Sequence, residues 1–349
     1  MNRIPSLDGF RAISILLILF CHSRLAAGFP NSPVLSDVAR QAEVGVTVFF
    51  VISGFLITYL LLAEEGKNGS ISLKAFYIRR AFRILPVYFL YVAFILAWRN
   101  FETIGLTKSN LTHVLTFTVN FDHNKDWFLG HFWSLSVEEQ FYLFWPATLL
   151  LFRKHLKVTL ILLVTYSCVA RVLAYKFPGV GPLVLAPFFS FSDAIFIGAF
   201  GGILFFESPQ ILKHRVFGSY FAQIVALGLF LLFVYCSEHG KLGIIALPFG
   251  NVIISLSILF LMIAYIFPSE RVVFRILNNK AIVHIGILSY SIYIWQEFFF
   301  IGELKGFWRI FPYNILVIYL VSLASYYLWE RPFLKMKKHF SVNKLQPGI

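Results

Sequence analysis

Runs of roughly twenty mostly apolar residues recur along this chain from end to end, each long enough as a helix to cross about 30 Å of hydrocarbon. That repetition limits the fold before any motif is considered. Ten such runs cover residues 9–27, 44–63, 82–98, 138–153, 157–175, 186–206, 218–235, 243–267, 282–301 and 312–330. The expected fold is an all-α integral membrane bundle of about ten transmembrane helices. With 58% hydrophobic and 13% charged residues among 349, the chain leaves no room for a large soluble domain. Residues 1–335 therefore read as one transmembrane domain, and 336–349 as a basic cytoplasmic tail.

The net charge of +13 would suit nucleic acid if it formed one patch, but the basic residues sit in short loops between apolar runs. No nucleic-acid partner is expected. Alternate loops carry the denser clusters, such as Arg153, Lys154 and Lys157, or Arg271, Arg275 and Lys280, and the tail adds Lys335, Lys337, Lys338 and Lys344. The opposite loops hold fewer, among them Arg40, Arg99, Lys176 and Lys241. The positive-inside rule then places both termini in the cytoplasm of a multi-pass plasma membrane protein, the inner membrane in a bacterium. Cys21, Cys168 and Cys236 lie in or beside apolar runs without metal-like spacing, so neither a disulfide framework nor a metal site is expected. Arg3, the first run and "LAAG" at 25–28 imitate a signal peptide, but Leu25 stands where a small residue is wanted and Asp8 lies in the flank. Residues 1–28 are therefore expected in the mature protein. One non-cytoplasmic stretch, Arg99 to Val137, is long and rich in aromatic and charged residues, as functional loops often are.

The first run, "SLDGFRAISILLILFCH", places Arg11 and His22 eleven residues apart. At about 100° per residue they project from one face of a helix, about 16 Å apart along its axis. With the N-terminus inside, Arg11 lies near the cytoplasmic boundary and His22 past the midplane. The plainer reading is that Arg11 snorkels to headgroups and His22 is a packing residue; ionisable groups within spans otherwise mark function. In "FYIRRAFRILPVYF" Arg80 and Arg83 share a face at i, i+3, with Arg79 beside them. Their guanidinium forks suit a phosphate, although positive-inside anchoring explains most such clusters. In "GHFWSLSVEEQFYLFWP" Glu138, Tyr142 and Trp145 face one way, and Glu139 is turned by about 100°. Glu138 and His22 fall at similar depth and can pair; the plainer role for Glu138 is to cap its own helix.

Taken together these segments resemble the acyltransferase-3 family of polytopic membrane O-acyltransferases. The resemblance runs through "LDGFRAISILLILFCH", "GVTVFFVISGFLIT" at 45–58, "RAFR" at 80–83 and "HFWSLSVEEQFYL" at 131–143. It continues more loosely in "SDAIFIGA" around Asp193, "LSYSIYIWQ" at 288–296 and "WERPF" at 329–333. Its functional positions correspond here to Arg11, His22, Arg80, Arg83 and Glu138. Many members have His where this chain has Gln296, so no proton transfer is assigned to that position. Some members carry a fused SGNH esterase-like domain, for which this chain is too short.

The resemblance implies acyl-CoA, usually acetyl-CoA, as donor, with no metal, and as acceptor a carbohydrate or lipid-linked glycan hydroxyl, reached among membrane lipids. A sugar hydroxyl needs a base, and His22 is the candidate. Burial disfavours an imidazolium, so a carboxylate is expected to orient the ring, with Glu138 in that role. Arg11, Arg80 and Arg83 would hold the CoA phosphates while the pantetheine arm reaches toward His22. Trp133, His131, Tyr142 and Asp193 are expected to meet the substrate, with the 99–137 stretch admitting it. Cys21 points about 100° away from His22 and is set aside as a nucleophile. Two other classes stay open: a proton-coupled glycan transporter or flippase, in which intramembrane His, Glu and Asp also occur, and a structural membrane protein, for which the charged faces would be superfluous.

Overall fold

The computed structural model describes residues 4–181, 184–301 and 306–336. Among these residues it is helical, the only strand-like pairing being an isolated bridge between Ala27 and Ile310. Most of the basic tail lies outside the described residues. Helices of eight residues or more are, in chain order, α1 (Leu7–Ser23), α2 (Pro33–Gln41), α3 (Gly45–Asn68), α4 (Leu73–Trp98), α5 (Lys108–Leu115) and α6 (Phe132–Leu151). They continue as α7 (Leu156–Lys176), α8 (Ala186–Glu207), α9 (Tyr220–Glu238), α10 (Gly243–Ile266), α11 (Lys280–Trp295) and α12 (Tyr313–Ser325).

Each of the ten apolar runs falls on one of these helices, but the ends differ. α4 begins well before its apolar run, at Leu73, because Ser72 caps it by accepting a hydrogen bond from the Ala75 N–H at 3.3 Å. α11 stops at Trp295 and passes into a 3-10 turn over Gln296–Phe299. Six stretches, 33–68, 73–98, 153–176, 186–207, 220–238 and 243–266, are long and apolar enough to cross a bilayer by themselves. The molecule is thus an all-helical membrane protein. α1, α11 and α12, at 17, 16 and 13 residues, are shorter, and α6 interrupts its apolar run with Glu138, Glu139 and Gln140.

Close helix contacts are made through glycine. On α8, Gly198 and Gly202 lie one turn apart and press against the Val51 and Phe55 carbonyls of α3, while Gly54 of α3 presses against the Ile195 carbonyl. A Cβ at any of the three would collide with backbone, so the pair approaches as small-xxx-small helices do in lipid. α1 packs between α3 and α11, with the Ser14 hydroxyl donating to the Gly45 carbonyl at 2.5 Å.

Two apolar cores result, one around α3, α6, α8 and α10, the other around α1, α4, α11 and α12. Val46, Trp133 and Tyr290 pack against both, which marks the seam between them. The 99–137 stretch folds into α5, a 3-10 turn at Val119–Phe121 and a short helix at Trp127–Gly130. A buried Glu102–Arg309 ion pair at 2.8 Å ties its start to the segment before α12.

Candidate active site

Three cavities open along the seam, and Val46 borders all of them. The first, about 80 Å³, lies at the Arg11 end and is lined by Arg11, Ser53, Arg80, Arg83, Glu138 and Tyr142. α1 brings Arg11 there with its guanidinium held by Asp8, Nη1 to Oδ1 at 2.9 Å. Asp8, three residues before Arg11 on the same helix, thus orients the cation. α4 brings Arg80, whose guanidinium lies over the Tyr142 ring at 5.0 Å. The Glu138 carboxylate accepts from the Ser53 hydroxyl at 2.7 Å and the Tyr142 hydroxyl at 3.1 Å. Three guanidiniums thus share one small, otherwise largely apolar cavity with the Glu138 carboxylate, a setting that can hold a polyanion. Glu139 points elsewhere, its Oε1 buried with no hydrogen bond among the described residues.

The second cavity, about 30 Å³, holds His22 with Glu43, His131, Trp133, Tyr293 and Glu297 along its walls. His22 Nδ1 lies 2.9 Å from Gln296 Oε1, and its ring meets the edges of Trp127 at 5.7 Å and Phe300 at 5.8 Å. The expected His22–Glu138 pair is therefore not formed. Glu138 bonds to α3 and to its own helix, and the partner of His22 is the amide of Gln296. Single-helix periodicity gave both residues a face but no relative rotation, and rotation decides which side chains meet.

The third cavity is a cleft of about 1010 Å³ at the His22 end, between α2, α3 and the ends of α7, α9 and α10. Glu43 and Trp133 line both the cleft and the His22 cavity. The Trp133 ring also lies tilted against Phe191, centroids 4.6 Å apart. Of the other three residues expected at the substrate, His131 lines the His22 cavity with Trp133, whereas Tyr142 and Asp193 lie outside it. Tyr142 is in the arginine cavity as a partner of Glu138. His131 is buried, with Nδ1 2.9 Å from Glu297 Oε2 and Nε2 3.2 Å from the Ile294 carbonyl, so both nitrogens are occupied. Asp193 is fully enclosed, paired to Arg171 at 2.7 Å and bonded by Asn251 and the Ala194 N–H at 3.0 Å. Both His131 nitrogens face protein acceptors, and Asp193 lines none of the three cavities. In the 99–137 stretch Trp127 packs edge-on against the His22 ring and its indole N–H donates to the Glu297 carbonyl at 3.0 Å.

Ser53, Glu43 and Glu297 were passed over in the sequence, and Gln296 was noted only as a departure from the His of many family members. Glu297 carried a usable signal, a carboxylate inside the 282–301 run; Ser53, being neutral, carried none, and Gln296 stood out only through the family pattern. No group of three or more metal-ligating side chains occurs among the described residues.

The family model described as an acyltransferase domain matches residues 4–330. The peptidoglycan O-acetyltransferase OatA of Listeria monocytogenes is 28% identical over 84% of this chain and 49% of its own length. A Staphylococcus aureus (strain COL) protein provisionally named an O-acetyltransferase is 29% identical over 96% of the chain and 58% of its own. Bacillus subtilis YrhL, provisionally named a peptidoglycan O-acetyltransferase, is 26% identical over 94% and 54%. The chain thus spans about half the length of the curated relatives it matches. No solved structure matches it.

Proposed function

Since this chain belongs to the acyltransferase-3 family, whose domain it fills from residue 4 to 330, we propose that it carries an acyl group, most simply acetyl, from cytoplasmic acyl-CoA to a carbohydrate hydroxyl. The names of the relatives make a cell-envelope glycan such as peptidoglycan the first acceptor to test. The observation that carries this reading is the meeting of three cavities at Val46: three arginines at one end, His22 between, and a wide cleft at the other. In the same reading, ten helices span the inner membrane of a bacterium and both termini are cytoplasmic.

In this scheme Arg11, Arg80 and Arg83 hold the phosphates of CoA, with Asp8 aiming Arg11. The pantetheine arm then covers the roughly 16 Å of helix rise up to His22. The acceptor enters from the cleft past Trp133 and Glu43. His22 takes the hydroxyl proton as the oxygen attacks the thioester carbonyl, and returns it to the departing CoA thiolate. A base so placed typically contributes about 10² to 10⁴ in rate.

Mass spectrometry of surface glycans from cells with and without the gene should reveal a lost acyl mass, restored by the wild-type chain and not by His22→Ala. Purified His22→Ala should still bind acetyl-CoA while transfer is abolished. Unchanged acylation in the deletion strain, together with a fully active His22→Ala enzyme, would overturn the proposal.

A further inference from the structure

We propose that Gln296 is the positioning residue of the transfer step: its amide oxygen fixes His22 as the Nδ1–H tautomer and presents a basic Nε2 to the cavity. The proposal rests on His22 being the base. Gln296 is fully buried at the first residue of the turn that ends α11. A carbonyl-type oxygen only accepts, so at 2.9 Å from Nδ1 it requires the proton on that nitrogen. The lone pair is then on Nε2, which has no hydrogen-bond partner among the described residues. Trp127 and Phe300, edge-on to the ring, hold its plane.

A second observation points the same way. The amide nitrogen of Gln296 is buried with no hydrogen bond among the described residues. A buried unmade bond is destabilising and calls for an explanation. A leucine would fill the space without it, but would leave the His22 tautomer unset. Nearby alternatives are occupied, since both ring nitrogens of His131 are engaged by Glu297 and the Ile294 carbonyl.

The neutral amide has a chemical consequence. In the transfer, the acceptor oxygen bonds to the thioester carbon, its proton goes to Nε2, the C–S bond breaks, and the CoA thiolate recovers the proton from Nε2. Gln296 orients the ring throughout but carries no charge to trap the imidazolium. Cys21, Glu43, His131, Tyr293 and Glu297 are the titratable groups around the same cavity, and none of them is hydrogen-bonded to His22.

The test uses the full chain in detergent micelles, labelled acetyl-CoA as donor and an N-acetylglucosamine pentamer as acceptor probe. Gln296→Leu should lower kcat about 10- to 100-fold, the worth of one lost buried hydrogen bond, with KM for acetyl-CoA little changed. Gln296→Glu should retain turnover at high pH, because it still accepts from Nδ1–H. Its charge should favour the imidazolium and move the acid limb of the pH–kcat profile about one unit or more to higher pH. Wild-type kcat in Gln296→Leu would overturn the proposal, as would equal losses in both variants with the acid limb unmoved, which is the mark of packing alone. Should Gln296→Leu fail to fold by gel filtration, the acid limb of Gln296→Glu decides by itself. His22→Ala separates the two levels: full activity there removes the base reading, whereas an inactive His22→Ala beside a fully active Gln296→Leu removes only the role of Gln296.

Discussion

Glu138 sits among Arg11, Arg80 and Arg83, held by Ser53 and Tyr142, so its charge bears on whatever anion those arginines hold. Glu138→Gln keeps an oxygen for Ser53 and offers the Tyr142 oxygen an N–H, while removing a negative charge that opposes phosphate. Its KM for acyl-CoA is expected to fall severalfold, and the acid limb of its pH–kcat profile to stay in place, because His22 answers to Gln296. Arg80→Ala should do the reverse and raise that KM more than about tenfold, in line with loss of a charge-assisted contact of roughly 1.5–3 kcal/mol. Steady-state kinetics across pH distinguish these outcomes from a direct coupling of Glu138 to His22, which would move the acid limb. The shared face of Arg11 and His22 was legible in the sequence because it needs only the helical repeat within one segment. The identity of the His22 partner was not, since it depends on how α1, α6 and α11 are rotated against each other, and a neutral glutamine in an apolar run raises no electrostatic flag.

At the scale of elements, Arg171 of α7 joins Asp193 of α8, and through Asp193 the Asn251 side chain of α10, while donating to the Pro248 carbonyl at 2.9 Å. Asp193 therefore fastens together three of the helices that border the cleft. Asp193→Ala would leave a buried guanidinium uncompensated and should destabilise the fold by about 3–5 kcal/mol, read as a lower unfolding midpoint in detergent. The double change Arg171→Leu with Asp193→Leu should recover much of that loss. Gly198→Val should act on the α3–α8 contact by driving a side chain into the Val51 backbone. The expected sign is a loss of folded, monodisperse protein, since overpacking of this kind costs about 1–3 kcal/mol or more. Helices at this scale were readable where the apolar run set the helix length. They were misjudged where another force did: α4 extends to Leu73 because a serine caps it, and the 99–137 stretch is ordered by pairings such as Glu102–Arg309, whose partners are remote in sequence.

For the molecule as a whole, sidedness carries the most weight, since the proposed donor and acceptor arrive from opposite faces. The cleft at the His22 end includes Lys241, in the turn between α9 and α10. At the other end Lys154 lies in the turn between α6 and α7, beside Arg153, which pairs with Glu65 at 2.9 Å and Glu207 at 3.3 Å. Both lysines are exposed, and the native Cys21, Cys168 and Cys236 are buried, so a single introduced cysteine gives a clean signal. A membrane-impermeant maleimide should label Lys241→Cys in intact cells and Lys154→Cys only after permeabilisation. Bulk attached at position 241 should then slow transfer to a glycan while leaving acetyl-CoA binding intact, because that position borders the cleft and not the arginine cavity. Labelling of Lys154→Cys in intact cells would turn Arg11, Arg80 and Arg83 away from the cytoplasmic CoA pool. The three guanidiniums lining that cavity would then need a different anion, supplied from outside, and the acyl-CoA reading would fall with the topology that supports it.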